Sequence, residues 1–182
     1  MKLILIGASA GSIDQLLDIF AKVDLKNATI LTALHMPYTY LVRLPMITRC
    51  SIAKERQNLQ PDSIYLCDSR YNRIDLRLSN GLCYLHYEIT DSIYRPDIDS
   101  LFVSASKSKS AKTMMGILLS GIGENGAKGL LALKNAGAYT IVSDEQSSSV
   151  YGMPKAAVNC EGASEVLDIA KIIERIERFS DG

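Results

Sequence analysis

The sequence predicts an α/β domain whose sheet is mostly parallel and whose chain includes one antiparallel hairpin. Three observations predict it. An apolar run (residues 3–6), an amphipathic stretch opening at Ile13 and a second apolar run (28–34) fall within about 35 residues, the span of one strand–helix–strand crossover. A second glycine-rich turn, Ser120-Gly121-Ile122-Gly123-Glu124-Asn125-Gly126, follows another continuous apolar run and enters another helical stretch; buried parallel strands read as such runs. Between the two, Ser79-Asn80-Gly81 joins short alternating runs, and Asn-Gly supplies the positive φ angles that a tight hairpin demands.

Composition fits one domain of 182 residues, 47% apolar and 22% charged, long enough to bury a substantial core. Twenty Lys plus Arg balance twenty Asp plus Glu, so no overall basic field draws nucleic acid or an anionic membrane. Cys50, Cys67, Cys83 and Cys160 are scattered without a Cys-x-x-Cys pair, and only His35 and His86 accompany them. That usage predicts reduced structural thiols in a cytoplasmic protein, with no metal site and no cofactor. The N-terminal apolar run is too short for a signal peptide or a membrane span. No membrane insertion is expected.

The elements follow in order. Residues 3–6 (Leu-Ile-Leu-Ile) meet the small residues Gly7-Ala8-Ser9-Ala10-Gly11, a Gly-x-Ser-x-Gly spacing that lets the backbone turn sharply at a strand end. Ile13, Leu16, Leu17 and Phe20 recur at helical spacing after Ser12, a residue type that favours the N-cap. Residues 28–34 are a second buried strand, ended by His35-Met36-Pro37, where proline withdraws a backbone donor. Residues 38–47 are expected as a helix interrupted near Pro45. Short runs at 63–67, 73–78 and 82–87 form the antiparallel excursion. Ile98, Leu101, Phe102 and Ala105 predict a helix over 96–108, residues 114–119 a central parallel strand, and 127–135 a helix closed by Gly137. A strand at 138–143, a short helix opening at Met153-Pro154 and an amphipathic helix over 169–179 complete the chain.

Functional residues of parallel α/β sheets gather at the carboxyl ends of the strands. Ser9 follows the first strand, His35 the second, and Glu124 and Asn125 the one ending near Leu119. Serine, histidine and an acceptor behind the imidazole are the parts of a nucleophilic hydrolase. Each has a plainer reading beside it. Ser9 could cap a helix, His35 could be an exposed loop residue, and Asn125-Gly126 could be turn chemistry.

Five stretches carry a resemblance: IGASAGS (6–12), LHMP (34–37), YRPDIDSLF (94–102), ILLSGIGENGAKG (117–129) and VYGMPKAAV (150–158). In this order they resemble the catalytic domain of the bacterial chemotaxis protein-glutamate methylesterases, the CheB family. The resemblance implies a doubly wound, Rossmann-like, mostly parallel sheet with an antiparallel hairpin at one edge. It places the nucleophile on Ser9 and the general base on His35, and the family's Arg-Pro-x-x-Asp motif on Arg95, Pro96 and Asp99. The substrate and oxyanion region falls on Ala10, Gly11, Gly121, Ile122, Gly123 and Arg95, since backbone N–H groups must meet the developing charge. The family usually has Gly-Met-Gly-Asn-Asp-Gly where this chain has Gly121-Ile122-Gly123-Glu124-Asn125-Gly126, so the triad aspartate falls on Asn125. Ala10 stands for a usual threonine and Ser12 for a usual glycine. An Asn125 carbonyl could accept from the imidazole Nδ1–H without adding charge, and Glu124 next door could supply a carboxylate.

The resemblance implies hydrolysis of glutamate γ-methyl esters on the cytoplasmic helices of chemoreceptors, with glutamine deamidation as a second activity. It also implies a single catalytic domain over 1–182 without the receiver domain that family members usually carry, its site open or regulated in trans. Two other readings stand beside it. One is a catalytically weakened module that binds receptors, motivated by Asn125. The other is a nucleotide-binding Rossmann domain, against which residues 7–12 lack the second and third glycines of Gly-x-Gly-x-x-Gly.

Overall fold

The computed structural model describes residues 2–182. Seven strands, β1 (Lys2–Ala8), β2 (Ala28–Leu34), β3 (Ser51–Ile52), β4 (Ser63–Leu66), β7 (Met114–Leu118), β8 (Tyr139–Ser143) and β9 (Glu165–Leu167), form one sheet in the order β3-β4-β2-β1-β7-β8-β9. Every neighbouring pair is parallel. The hairpin β5 (Arg73–Ser79) and β6 (Leu82–Glu88) makes a second, two-stranded sheet. The helices are α1 (Ile13–Lys22), α2 (Tyr38–Leu41), α3 (Ile98–Ser106), α4 (Ala127–Asn135), α5 (Gly152–Asn159) and α6 (Ile169–Asp181).

β1 lies at the centre because its side chains are apolar on both faces. Leu3 and Leu5 enter one core layer with α3, α4, α5 and the hairpin, while Ile4 and Ile6 enter the other with α1 and α6. Each such side chain, wholly withdrawn from water, contributes roughly 1.5–3 kcal/mol of transfer free energy. The chain runs from β1 outward to β2 and β4, then returns past β1 to β7 and β8. The reversal makes the carboxyl ends of β2, β1 and β7 the crevice of a doubly wound fold.

The fold class is as the sequence predicts, with differences in where pieces attach. Residues 63–66 join the main sheet, parallel to β2 from Thr29↔Ser63 to Thr32↔Leu66, and not the antiparallel excursion. Alternation along a strand identifies its buried face but not its partner. The hairpin does not extend the edge of the sheet. The N–H groups of Ile74 and Leu76 donate to Ser100 Oγ and Ser104 Oγ of α3 at 2.9 Å each, so helix side chains take the place of a pairing strand. The 38–47 stretch divides into α2 and a 3₁₀ turn at Leu44–Met46. β9, a three-residue strand with no fully buried side chain, carries no periodicity to detect.

Ser12 occupies the N-cap position of α1, but its side chain does not cap the helix. Its hydroxyl turns back onto the carbonyl oxygen of Ser9 at 2.5 Å. Asp97 caps α3 by accepting the Ser100 N–H, and Asp168 caps α6 by accepting that of Lys171. Cys67 and Cys83 are buried strand-region thiols pushed upward in pKa by burial, Cys83 to about 11; they stay protonated at neutral pH. His86 is a hairpin surface residue flanked by Glu55 and Glu88.

Candidate active site

Backbone hydrogen bonds carry the three central strands one step past their ends and bring their loops together. Leu119 N–H donates to Gly7 O (2.9 Å), His35 N–H to Ala8 O (3.0 Å) and Ser9 N–H to Ser120 O (3.0 Å). Ser9 and His35 therefore leave adjacent strands side by side. The sharp backbone turn falls on Gly11, with φ of 76°, while Ser9 is absent from the residues of positive φ. Ser9 is thus held by its neighbours and not by the strained conformation of the usual nucleophile elbow. Gly121 packs so closely behind it that an added Cβ would lie 2.7 Å from Ser9 Cβ. No larger residue fits there.

The structure brings Ser9, His35 and Asn125 into one relay. Ser9 Oγ lies 3.2 Å from His35 Nδ1, and His35 Nε2 lies 3.0 Å from Asn125 Oδ1. The ring is therefore reversed from the expected orientation: Nδ1 faces the serine and Nε2 the asparagine. Asn125 is only 2% exposed and every polar atom of its amide is used. Oδ1 also accepts the Ile98 N–H (2.8 Å), and Nδ2 donates to Asp97 Oδ1 (2.8 Å) and Asp99 Oδ2 (3.3 Å). A flipped amide would set its oxygen against two carboxylates and its NH₂ against a backbone N–H. With Oδ1 fixed toward the ring, Nε2 must carry the hydrogen, which leaves the Nδ1 lone pair to accept from Ser9 Oγ–H.

The Asn125-Gly126 pair serves two purposes. Gly126, with φ of 94°, takes the left-handed turn into α4, while Asn125 points inward to the imidazole. Glu124 is exposed, and no hydrogen bond joins its carboxylate to His35 among the described residues. Around the ring, Tyr94 stacks at 5.4 Å with planes 7° apart. Burial pulls the pKa of His35 below its usual 6.5, opposed in part by the Asn125 hydrogen bond, the Pro96 carbonyl and the charge of Asp97. Burial raises the pKa of Asp99, with the Gly129 and Gly126 N–H groups opposing.

Of the residues expected in the oxyanion region, Ala10, Gly11, Ile122 and Gly123 are exposed beside the turn. Among the described residues, none of their N–H groups hydrogen-bonds to the protein backbone. The Gly121 N–H is spent on Val150 O (3.0 Å), and Gly121 O accepts the Met153 N–H (2.9 Å), which ties the Gly-Met-Pro stretch to this turn. Arg95 is exposed and lines a cleft of about 610 Å³ beside His35, with Tyr38, Arg70, Ile93 and Tyr94. Arg70 stacks its guanidinium over Tyr38 at 4.2 Å while pairing with Asp68. Among the described residues no three His, Cys, Asp or Glu side chains converge as metal ligands.

Sequence reasoning did not find Ser120, Tyr94 or Asp97. Ser120 Oγ is 2.9 Å from Ala10 O and 3.1 Å from Val150 O, and it accepts the Val150 N–H at 2.9 Å, clamping the Ser9 loop to the loop after β8. Its place between an apolar run and a glycine-rich turn was the available signal. Asp97 lies inside the recognised YRPDIDSLF stretch, but nothing local marks it as a neighbour of Asn125.

A hydroxyl facing the bare nitrogen of a buried imidazole, itself anchored from behind, is the arrangement that nucleophilic hydrolases use, here on an α/β scaffold. The chain belongs to the CheB methylesterase family, whose sequence model, described as CheB methylesterase, matches residues 4–176. It is 31% identical to the protein-glutamate methylesterase/protein-glutamine glutaminase of Enterobacter cloacae, over 100% of this chain and 54% of that protein. It is 34% identical to the protein of the same name from Photorhabdus laumondii subsp. laumondii, again over 100% of this chain and 54% of the relative. The chain thus spans about half the length of these curated relatives. The crystal structure of the Thermotoga maritima CheB methylesterase catalytic domain superposes with a TM-score of 0.87 at 26% identity, covering 97% of each chain.

Proposed function

We propose that this chain is a carboxylic ester hydrolase that removes methyl groups from glutamate γ-methyl esters on the cytoplasmic helices of chemoreceptors. The observation that carries the reading is the Ser9–His35–Asn125 relay at the switch point of a family member. Ser9 Oγ attacks the ester carbonyl carbon while its proton passes to His35 Nδ1. Backbone N–H groups among Ala10, Gly11, Ile122 and Gly123 meet the oxyanion. The tetrahedral adduct collapses, His35 returns the proton to the methoxide, and methanol leaves. Water, activated by the same nitrogen, then releases the glutamate and regenerates Ser9. Deamidation of glutamine follows the same course with ammonia as the leaving group, and the relatives' names support it. The packing of all described helices against one sheet supports a single catalytic domain over residues 1–182. The receptor substrate implies a cytoplasmic setting, and among the described residues no helix is long and apolar enough to cross a membrane.

The test is methanol release from a methylated receptor cytoplasmic fragment by the purified chain. Release with recovery of free glutamate side chains is the expected result. Binding of the fragment without release would favour the receptor-binding module that the neutral Asn125 suggests.

A pH profile carries a second expectation. His35 must be neutral to accept the serine proton, and burial holds its pKa below the usual 6.5. The rate constant kcat/KM should therefore be level through neutral pH and fall only as pH drops through that lowered value. An acid limb centred above 6.5 would contradict a buried neutral base.

A further inference from the structure

We propose that Asp97 is a positioning residue of this relay: its carboxylate holds the Asn125 amide with the oxygen toward His35 and supplies, one residue further out, the negative charge that Asn125 lacks. This rests on Ser9, His35 and Asn125 acting as the relay. Asparagine behind a catalytic histidine is harmful chiefly when its amide presents NH₂ to the ring and imposes the wrong tautomer. Here that orientation is closed off, because Nδ2 is 2.8 Å from Asp97 Oδ1 and Oδ1 already accepts the Ile98 N–H at 2.8 Å.

Asp97 is itself held firmly. Its N–H donates to Asn72 O (2.7 Å), its Oδ2 accepts from Ser92 Oγ (3.2 Å), and its Oδ1 accepts the Ser100 N–H (3.4 Å). Fully buried Asn72 pins the approaching strand of chain by donating to Ser92 O and Tyr94 O. Asp99 is the lesser partner: it is 3.3 Å from Nδ2 and its other oxygen takes the Gly129 N–H at 2.6 Å. When the Ser9 proton reaches Nδ1, the imidazolium leans on Oδ1 through Nε2–H, and an amide polarised by Asp97 is a better acceptor. The charged and titratable groups around the ring are Asp97 and Asp99 at the start of α3, Tyr94 on its face, and Tyr38, Arg70 and Arg95 along the cleft. Of these, Asp97 carries a charge that favours the protonated ring.

The arrangement also reverses the obvious repair. Asn125→Asp would set a third carboxylate at hydrogen-bond distance from Asp97, where like charges hold a proton between them. Charge can move inward to residue 125 only if it leaves residue 97.

The test uses the full chain with ¹⁵N-labelled histidine, His86 being assigned through His86→Gln, and follows the His35 titration by NMR. Acylation of Ser9 by p-nitrophenyl acetate is measured in parallel. Asp97→Asn keeps the shape and a good helix cap, and Asp97→Ser is a second charge-free cap should the first misfold. Both should titrate His35 at lower pH and slow acylation on the order of ten- to a hundredfold, as for outer partners of metal-bound imidazoles. Asn125→Asp alone should be no faster than the unaltered chain, and Asn125→Asp with Asp97→Asn should match or exceed it. An unchanged His35 titration and acylation rate in folded Asp97→Asn, or a gain from Asn125→Asp alone, would overturn the proposal. Neither readout needs a methylated receptor, so failure of the substrate reading leaves a distinct result.

Discussion

Replacing Ser9 by alanine is expected to lower methanol release roughly 10⁴- to 10⁶-fold, the range for loss of a nucleophile that works with its base as a unit. At about 1.36 kcal/mol per tenfold, that is about 5–8 kcal/mol of transition-state stabilisation. The fold should not notice. Among the described residues Ser9 Oγ makes one hydrogen bond, to His35 Nδ1, and the loop is held by the backbone bonds to Ser120 and the hydroxyl of Ser12. Binding of the receptor fragment should survive, so the loss falls on kcat and not on KM. Methanol measured against fragment binding, in both proteins, checks both halves. Release unaffected by the substitution would remove Ser9 as the nucleophile.

Asn125→Leu is expected to damage stability and activity together. Leucine has nearly the same shape, so the experiment removes hydrogen bonds and leaves little cavity. The buried Ile98 N–H and the His35 Nε2–H lose their acceptor, and Asp97 and Asp99 lose the donor between them. With roughly 1–3 kcal/mol lost for a buried group left unpaired, the unfolding free energy should fall by about 2–4 kcal/mol in urea titration. Freed of its acceptor, His35 no longer holds its hydrogen on Nε2, and turnover should fall roughly 10³- to 10⁴-fold, the scale of a tautomer error. A stable Asn125→Leu protein with full turnover would show that Tyr94 stacking and the Pro96 carbonyl suffice to orient the ring. The pairing of the two effects distinguishes Asn125 from Ser9, whose loss is purely chemical.

The two substitutions also mark how far a reading of the chain alone could reach. The strands at 28–34 and 114–118, the helices at 13–22 and 127–135 and the left-handed Gly137 follow from apolar period, caps and turn residues acting over a few neighbours. The hairpin was equally legible, because Asn80-Gly81 is a local conformational demand. Its placement was not: whether β5 pairs with a sheet edge or with the hydroxyls of Ser100 and Ser104 depends on a helix more than twenty residues away. The same distance hid the parallel pairing of 63–66 with β2.

At the site, Ser9, His35 and Asn125 were nameable because each follows an apolar run whose carboxyl end had to lie at one edge of a parallel sheet. Glu124 stood beside Asn125 as the alternative on sequence, being adjacent to it with the more suitable charge. Only the turn into α4 separates them, sending Asn125 inward at 2% exposure and Glu124 into solvent. The ring nitrogen facing Ser9, the direction of the Asn125 amide and the part played by Asp97 are likewise products of packing. They are set by contacts among residues 9, 35, 97 and 125, which no local period relates. The sequence by itself determined the strands, their polar ends and the family. The tertiary structure decided which polar group stands behind the histidine and which way its hydrogen bonds run, because hydrogen-bond direction depends on the three-dimensional meeting of donors and acceptors and not on their order along the chain.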